Sequence, residues 1–278
     1  MLTDYHTHLR PDSTAATPDD YFTEANVERY LAFASNRGIA ELGFSEHVYR
    51  FREALEVSTH PFWRECATDD LGAYCEFIEE MKAAGHAVKL GIEVDYVPGR
   101  EERIAALVDG YPWDYVIGSV HAVADGFVDH EGYDAWRSAS SDDVWSSYFR
   151  MVGAAAASRL FDIVAHVDLV KIWGDRRPAP TRERRAFYEL AMEGIEASDV
   201  AIEVSTAGLR KPAGEIYPTR ELLEMCLSAG RPVALSSDAH EPEHIGYGYD
   251  AALELLQEAG VERICVFDRR RRTEESLG

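Results

Sequence analysis

Leu2-Thr3-Asp4-Tyr5-His6-Thr7-His8 opens the chain as a short strand ending in two imidazoles with one residue between them. Residues i and i+2 of a strand point to the same side, so His6 and His8 can reach one metal ion together. Two histidines leave a divalent ion under-coordinated, and the remaining ligands must come from elsewhere in the chain.

Candidates recur down the sequence, each at the end of a short apolar run. Ile39-Ala40-Glu41-Leu42 leads through Gly43-Phe44-Ser45-Glu46 to His47, Lys89-Leu90-Gly91-Ile92 leads to Glu93, and Tyr115-Val116-Ile117-Gly118-Ser119-Val120 leads to His121. Ile163-Val164-Ala165 precedes His166, and Pro232-Val233-Ala234-Leu235-Ser236-Ser237 precedes Asp238-Ala239-His240. A barrel of parallel strands carries its active site at the C-terminal ends of those strands. One histidine at a strand end is more often a hydrogen-bonded core residue than a ligand. Six ends alike, with HxH and DxH among them, reverse that expectation. The pattern predicts an α/β fold, a TIM-like barrel of seven or eight strand and helix units without a sequence repeat.

The 278 residues fit such a barrel as a single domain spanning 1–278. No run of about 18 apolar residues and no basic-then-apolar leader is visible, so the expectation is a cytoplasmic protein with no membrane partner. Cys66, Cys75, Cys226 and Cys265 are widely spaced and form no CxxC pair, which points to incidental or buried thiols. A formal charge of −22 argues against a nucleic-acid partner, whose binding rests on basic surface. It is compatible with a small phosphate ester, because metal ions reverse the local field. No surface stripe sets an oligomeric state.

Between the strand ends, the stretch from Leu9 to Asp20 reads as a polar loop, and a helix follows it to about Asn36, ended by Gly38. Arg50 to Asp70 is an aromatic, proline-containing insertion, expected to form one wall of a pocket or a lid. Helices are predicted at Leu71 to Ala84, Arg100 to Val108, Asp142 to Ala157, Thr181 to Ser198, Thr219 to Ala229 and Asp250 to Ala259. The last strand candidate, Arg263 to Phe267, leads into a basic stretch, Arg269 to Arg272, expected to be solvated and frayed.

The ligand inventory is rich in imidazole, has two carboxylates and no thiolate, and suits zinc, manganese or iron rather than calcium. His6, His8, His47, Glu93, His121, His166, Asp238 and His240 are too many for one tetrahedral ion and enough for two, nearly three. Paired ions about 3.5–4 Å apart are the usual apparatus for in-line displacement at phosphorus, which favours hydrolysis of a small phosphate ester. Glu46, beside His47, points to the opposite face and is expected to pack or to support a ligand. His60, His86, His130 and His244 are assigned to surface or loop roles.

With these residues in view, DYHTH, FSEH, GIEVDY, GSVH, AHVDLVK, EVSTAGLRKPAGEIYP and SSDAH together resemble the PHP (polymerase and histidinol phosphatase) superfamily, most closely its histidinol-phosphatase branch. The resemblance covers essentially the whole chain. It implies a distorted (β/α)7 barrel with a trinuclear metal centre, and hydrolysis of L-histidinol phosphate to L-histidinol and phosphate in histidine biosynthesis. It further implies one ion on His6, His8, Glu93 and Asp238, a second on Glu93, His121 and His166, and a third on His47 and His240. Glu93, His121, Asp238 and His240 would carry the reaction. Family members have another histidine shortly after HxH, whereas this chain reads Leu9-Arg10-Pro11-Asp12-Ser13-Thr14, leaving Asp12 as the substitute oxygen ligand. Arg210 and Lys211, after the strand Ala201 to Ser205, and Lys171 are the candidate phosphate-binding cations.

Three readings compete with that one. A phosphoesterase of the same superfamily could take a nucleotide or a sugar phosphate. A metal-dependent amidohydrolase also opens with HxH but places a bridging lysine where this chain has Glu93. A catalytically silent metal-binding barrel is a third, supported only by the missing histidine.

Overall fold

Parallel strands and helices alternate through the computed structural model, which describes residues 1–12, 15–124 and 126–277. The order is β1 (Leu2–Asp4), α1 (Glu24–Asn36), β2 (Ile39–His47), α2 (Leu71–Ala83), β3 (Val88–Asp95), α3 (Glu101–Val108) and β4 (Tyr115–Ser119). It continues with α4 (Ser141–Ala157), β5 (Ile163–Val164), α5 (Arg185–Glu196), β6 (Ala201–Ser205), α6 (Arg220–Ser228), β7 (Val233–Ser236) and α7 (Tyr249–Glu258). The strands form one seven-stranded parallel sheet in sequence order. Its first and last strands meet through a bridge between Thr7 and Ala239. There the His8 N–H donates to the Ala239 carbonyl at 2.8 Å, and the Ala239 N–H donates to the His6 carbonyl at 3.1 Å. The result is a nearly closed (β/α)7 barrel, with HxH and DxH forming its seam.

Helix boundaries follow local chemistry. The helix expected to start at Thr17-Pro18-Asp19-Asp20 begins there but is broken: a single turn, Pro18–Tyr21, precedes α1, and the Thr23 side chain caps α1 by accepting from the Asn26 N–H. Ser13 and Thr14 of the expected Leu9 to Asp20 loop lie outside the described residues. α5 starts at Arg185 instead of Thr181, because the Thr181 N–H and hydroxyl both donate to Asp142, at 2.6 Å each, and hold that segment against α4. α2 buries Leu71, Tyr74, Cys75, Ile78 and Met81, the face that helical spacing predicts. All four cysteines are free. Among the described residues no helix is long and apolar enough to cross a membrane.

A second apolar cluster fills the barrel itself: Tyr5, Tyr115, Ile117, Ile163, Ala165, Ala201 and Ala234, with Cys265 and Phe267. Tyr115 spans the interior and donates its hydroxyl hydrogen to the Tyr5 carbonyl at 2.6 Å. Gly43 and Gly91 make room for this ring, since a Cβ on either would overlap it. Gly91→Ala should therefore lose about 2 kcal/mol or more of unfolding free energy by overpacking. Urea denaturation would show this, and an unchanged midpoint would refute the packing argument.

The basic C-terminal stretch is not frayed. β8 (Arg263–Asp268) and β9 (Arg271–Ser276) form an antiparallel hairpin turned by Arg269 and Arg270, both at positive φ (48° and 60°). Cys265 and Phe267 close the N-terminal end of the barrel, and Arg270 pairs with Asp162 at 2.9 Å and reaches the Leu160 carbonyl at 2.8 Å. An alternating apolar strand beside an open barrel end has a surface to bury, and the arginines have a carboxylate to meet.

Candidate metal centre

Each ligand candidate leaves the C-terminal end of a barrel strand. Parallel register sets His47 of β2 directly beside Glu93 of β3, and the barrel seam brings HxH against Asp238. His166 and Asp238 follow β5 and β7 at positive φ (27° and 50°), a conformation that non-glycine residues adopt at a strain of order 1–3 kcal/mol where surrounding structure enforces it.

Ligands 2.0–2.2 Å from a tetrahedral ion lie about 3.3–3.6 Å from one another. His6 Nε2 is 3.3 Å from Glu93 Oε2 and 3.8 Å from Asp238 Oδ1, while His8 Nε2 is 3.9 Å and 3.5 Å from the same two atoms. On the other side of the carboxylate, Glu93 Oε1 lies 3.3 Å from both His121 Nε2 and His166 Nε2. His47 turns Nδ1 to Glu93 Oε2, and its Nε2 lies 3.2 Å from His240 Nε2. Asp12 Oδ1 stands 3.6 Å from His240 Nε2, held there by the Arg50 guanidinium at 3.0 Å. The candidates thus form three adjoining groups, and Glu93 reaches a member of each.

His6 Nε2, His8 Nε2, Glu93 Oε2 and Asp238 Oδ1 are all buried and have no hydrogen-bond partner. A single unsatisfied buried polar atom costs roughly 1–3 kcal/mol, so four gathered together point to a ligand they share. The donor set fits a divalent cation.

Three carboxylates behind the ligands fix this arrangement. Glu203 Oε1 accepts from His6 Nδ1 and from the Ser236 hydroxyl, both at 2.7 Å, and its Oε2 accepts from the His166 N–H at 2.7 Å. Asp95 accepts from His121 Nδ1 at 2.8 Å. In both histidines the outer nitrogen is occupied and Nε2 is left to ligate, the orienting arrangement that metal-bound imidazoles use. Glu46 accepts from the N–H groups of Leu9 and Arg10, at 2.6 Å and 3.0 Å, and pairs with Arg50 at 2.9 Å. The sequence pattern did not single out Glu203 or Asp95 for any role. Asp95 carried a signal nonetheless, standing at i+2 from Glu93 on the same strand face.

The electrostatics agree. Burial disfavours the charged form of Glu93, yet His47, His6 and His121 outweigh it and hold the carboxyl well below its usual range. Burial likewise opposes Asp238, and His6 leads the groups that pull it down. Burial, then His47 and His240, keep His8 a neutral donor well below the ordinary imidazole range, and burial lowers His47 to about 3. His6 is opposite: burial is overcome by Glu203, Glu93 and Asp238, marking a surplus of negative charge where a cation would sit.

The centre opens into a cavity of about 420 Å³. Arg50, Phe62 and Cys66 from the 50–70 insertion line it together with the adjoining Tyr49, as that segment's composition predicts, and so does His130, which the sequence assigned to a surface or loop role. His86 is on the surface beside Glu24, and His60 packs against Phe127 and Tyr133. Of the three candidate phosphate cations, Lys211 lines the cavity. Arg210 instead donates to the carbonyls of Ser237 and Asp238, at 2.8 Å each, bracing the strained turn that carries Asp238. Lys171 is turned away and engaged by Asp168 at 2.9 Å, Glu215 at 3.2 Å and the Ile216 carbonyl at 2.8 Å.

The PHP domain family model matches residues 15–207. Over 257 residues the chain is 31% identical to a probable histidinol-phosphatase of Deinococcus radiodurans, covering 90% of this chain and 93% of that protein. It is 29% identical over 250 residues to the histidinol-phosphatase of Bacillus subtilis, covering 82% and 92% respectively. The crystal structure of a histidinol phosphate phosphatase from Lactococcus lactis, complexed with zinc, L-histidinol and phosphate, has the same fold, with a TM-score of 0.75 at 20% identity over 98% of both chains. A seven-stranded barrel with imidazoles and carboxylates gathered at its C-terminal end, matched by the family model over most of its length, leaves one conclusion: this chain belongs to the PHP domain family.

Proposed function

We propose that this protein is a histidinol-phosphatase, a metal-dependent phosphomonoesterase that hydrolyses L-histidinol phosphate to L-histidinol and phosphate in cytoplasmic histidine biosynthesis, with residues 1–278 acting as one domain. The observation that carries the proposal is the convergence of four buried, unpartnered donor atoms from His6, His8, Glu93 and Asp238. The curated relatives, which cover most of the chain, supply the substrate.

In this reading His6, His8, Glu93 and Asp238 hold one ion, Glu93, His121 and His166 a second, and His47, His240 and Asp12 a third. Two to three ions of the zinc, manganese or iron type, when bound, supply Lewis acidity toward the phosphoryl oxygens and an activated water. The chain supplies the rest. Glu93 presents one oxygen to each of two neighbouring groups. Glu203 and Asp95 keep Nε2 of His6 and His121 facing inward. Lys211 adds positive charge at the mouth, where a phosphate dianion enters. Arg210 fixes the backbone at Asp238 and so the direction of its carboxylate.

Elemental analysis of the purified protein, paired with phosphate release from a panel of phosphomonoesters, tests the proposal. The expected result is two to three ions per chain and a preference of at least about tenfold for L-histidinol phosphate over nucleotide and sugar phosphates. Chelation should abolish release, and added divalent metal should restore it. A protein that carries no metal and stays inactive after metal addition would overturn the reading. Bound metal with preference for another ester would move the substrate and leave the centre in place.

A further inference from the structure

A second cavity, of about 320 Å³, shares a wall with the metal cavity. The loops that follow β5 and β6 make that wall. Ile172 and Lys211 line the metal cavity, whereas their sequence neighbours Trp173, Pro212 and Ala213 line the second. The Ala213 N–H donates to the Ile172 carbonyl at 3.0 Å and ties the two loops together. No metal-ligand candidate reaches the second cavity.

Its lining is indole around cationic heads. Three of the chain's five tryptophans, Trp136, Trp145 and Trp173, gather there. Their rings are fixed in advance. Trp136 Nε1 donates to the Ser141 hydroxyl at 3.1 Å, Trp173 Nε1 donates to the Val128 carbonyl at 2.7 Å, and Trp145 packs on Phe149 and Phe187. The rim is pinned as well, since the Ser141 hydroxyl donates to the Pro178 carbonyl at 2.6 Å. The Arg177 guanidinium lies 4.9 Å from the Trp173 ring centroid, and that of Arg184 lies 5.9 Å from Trp145.

Arg177 is incompletely matched. Its Nη2 pairs with Asp134 at 2.8 Å and its Nη1 donates to the Arg176 carbonyl at 3.1 Å, but its Nε is buried with no acceptor. Of the two carboxylates that line the cavity, Glu215 is engaged by Lys171 at 3.2 Å and Arg184 at 3.3 Å, and Asp175 is exposed to solvent. A buried guanidinium N–H without a partner is unfavourable, and an entering anion relieves it through a charge-assisted hydrogen bond. One such donor among indole and proline faces suits a carboxylate on a flat apolar body, where a phosphate dianion would need several donors.

We propose that this cavity is a second ligand site, for a small aromatic carboxylate whose carboxylate accepts from Arg177 and whose ring lies among Trp136, Trp145 and Trp173. The site stands independently of the reaction at the metal centre.

The test is calorimetric titration of the metal-loaded full chain with indole-3-acetate and with its uncharged counterpart indole-3-acetamide, in saturating inorganic phosphate to occupy the metal cavity. The expected result is one acetate per chain with Kd below about 1 mM and the amide at least about tenfold weaker. Arg177→Gln should weaken the acetate about tenfold or more and remove its advantage over the amide. Ala213→Phe, which keeps Arg177 and fills the space, should abolish binding of both, and it decides the matter if Arg177→Gln does not fold. No binding to wild type, equal binding of acid and amide, or binding unaltered in a folded variant would overturn the site. Binding that disappears when phosphate is added would place the acid at the metal centre and overturn it equally.

Discussion

Glu93→Gln should lower turnover by about three orders of magnitude and strip metal from the purified protein. The carboxylate is shared by five imidazoles: Oε2 faces His6, His8 and His47, and Oε1 faces His121 and His166. Glutamine keeps the volume but offers one neutral oxygen in place of two charged ones, so it can serve only one side of the cluster. Metal ions contribute several kcal/mol of transition-state stabilisation in such centres, and each 1.36 kcal/mol is tenfold in rate. Because glutamine keeps the side-chain volume at the fully buried Glu93, the substitution should leave the barrel folded. Circular dichroism together with elemental analysis separates loss of metal from loss of fold. A variant that retains its ions and a tenth of its turnover would defeat the proposal that Glu93 bridges.

The second large effect is expected at a residue that never touches an ion in the proposed scheme. Glu203 accepts three hydrogen bonds, from His6, Ser236 and the His166 backbone. In Glu203→Gln the amide nitrogen must face one of these donors, setting N–H against N–H or O–H in a buried site. The outcome should be roughly 10- to 100-fold weaker metal binding, the usual consequence of losing such support. Unfolding free energy should also drop by about 1–3 kcal/mol, from the donor left unpaired. Metal titration followed by activity distinguishes this from a change in chemistry: excess metal should restore much of the turnover in Glu203→Gln and little in Glu93→Gln. Unaltered metal affinity in Glu203→Gln would show that His6 needs no such partner.

The contrast between these two residues shows where the sequence was legible. Glu93 ends an apolar run, as do His47, His121 and His166, and the strand-end position alone marks them as facing the C-terminal mouth. Glu203 sits inside the strand Ala201–Ser205, where a carboxylate has no local pattern to distinguish it from the rest of the chain's 50 acidic residues. Its partner His6 lies 197 positions away. Lys171, Arg210 and Lys211 show the same limit. All three stand at the correct rim by sequence, but the carboxylates and carbonyls around each decide which lines the cavity, and Lys211 alone of the three does so.

The C-terminal hairpin makes the point for the fold. Arg263 to Phe267 is readable as a strand, yet whether it joins the barrel, frays or folds back depends on an open barrel end and on Asp162, neither of which lies nearby in sequence. By itself, the sequence determined the strand and helix alternation, the barrel class and the eight ligand candidates, because periodicity and strand-end placement are properties of neighbouring residues, and its motifs carried the resemblance to the family. Only the tertiary structure decided that Glu203 and Asp95 back His6 and His121 and that an Asp129 oxygen is left unpartnered. Those depend on which strands and loops the closed barrel brings together, and on which charges are left without a partner once it has closed.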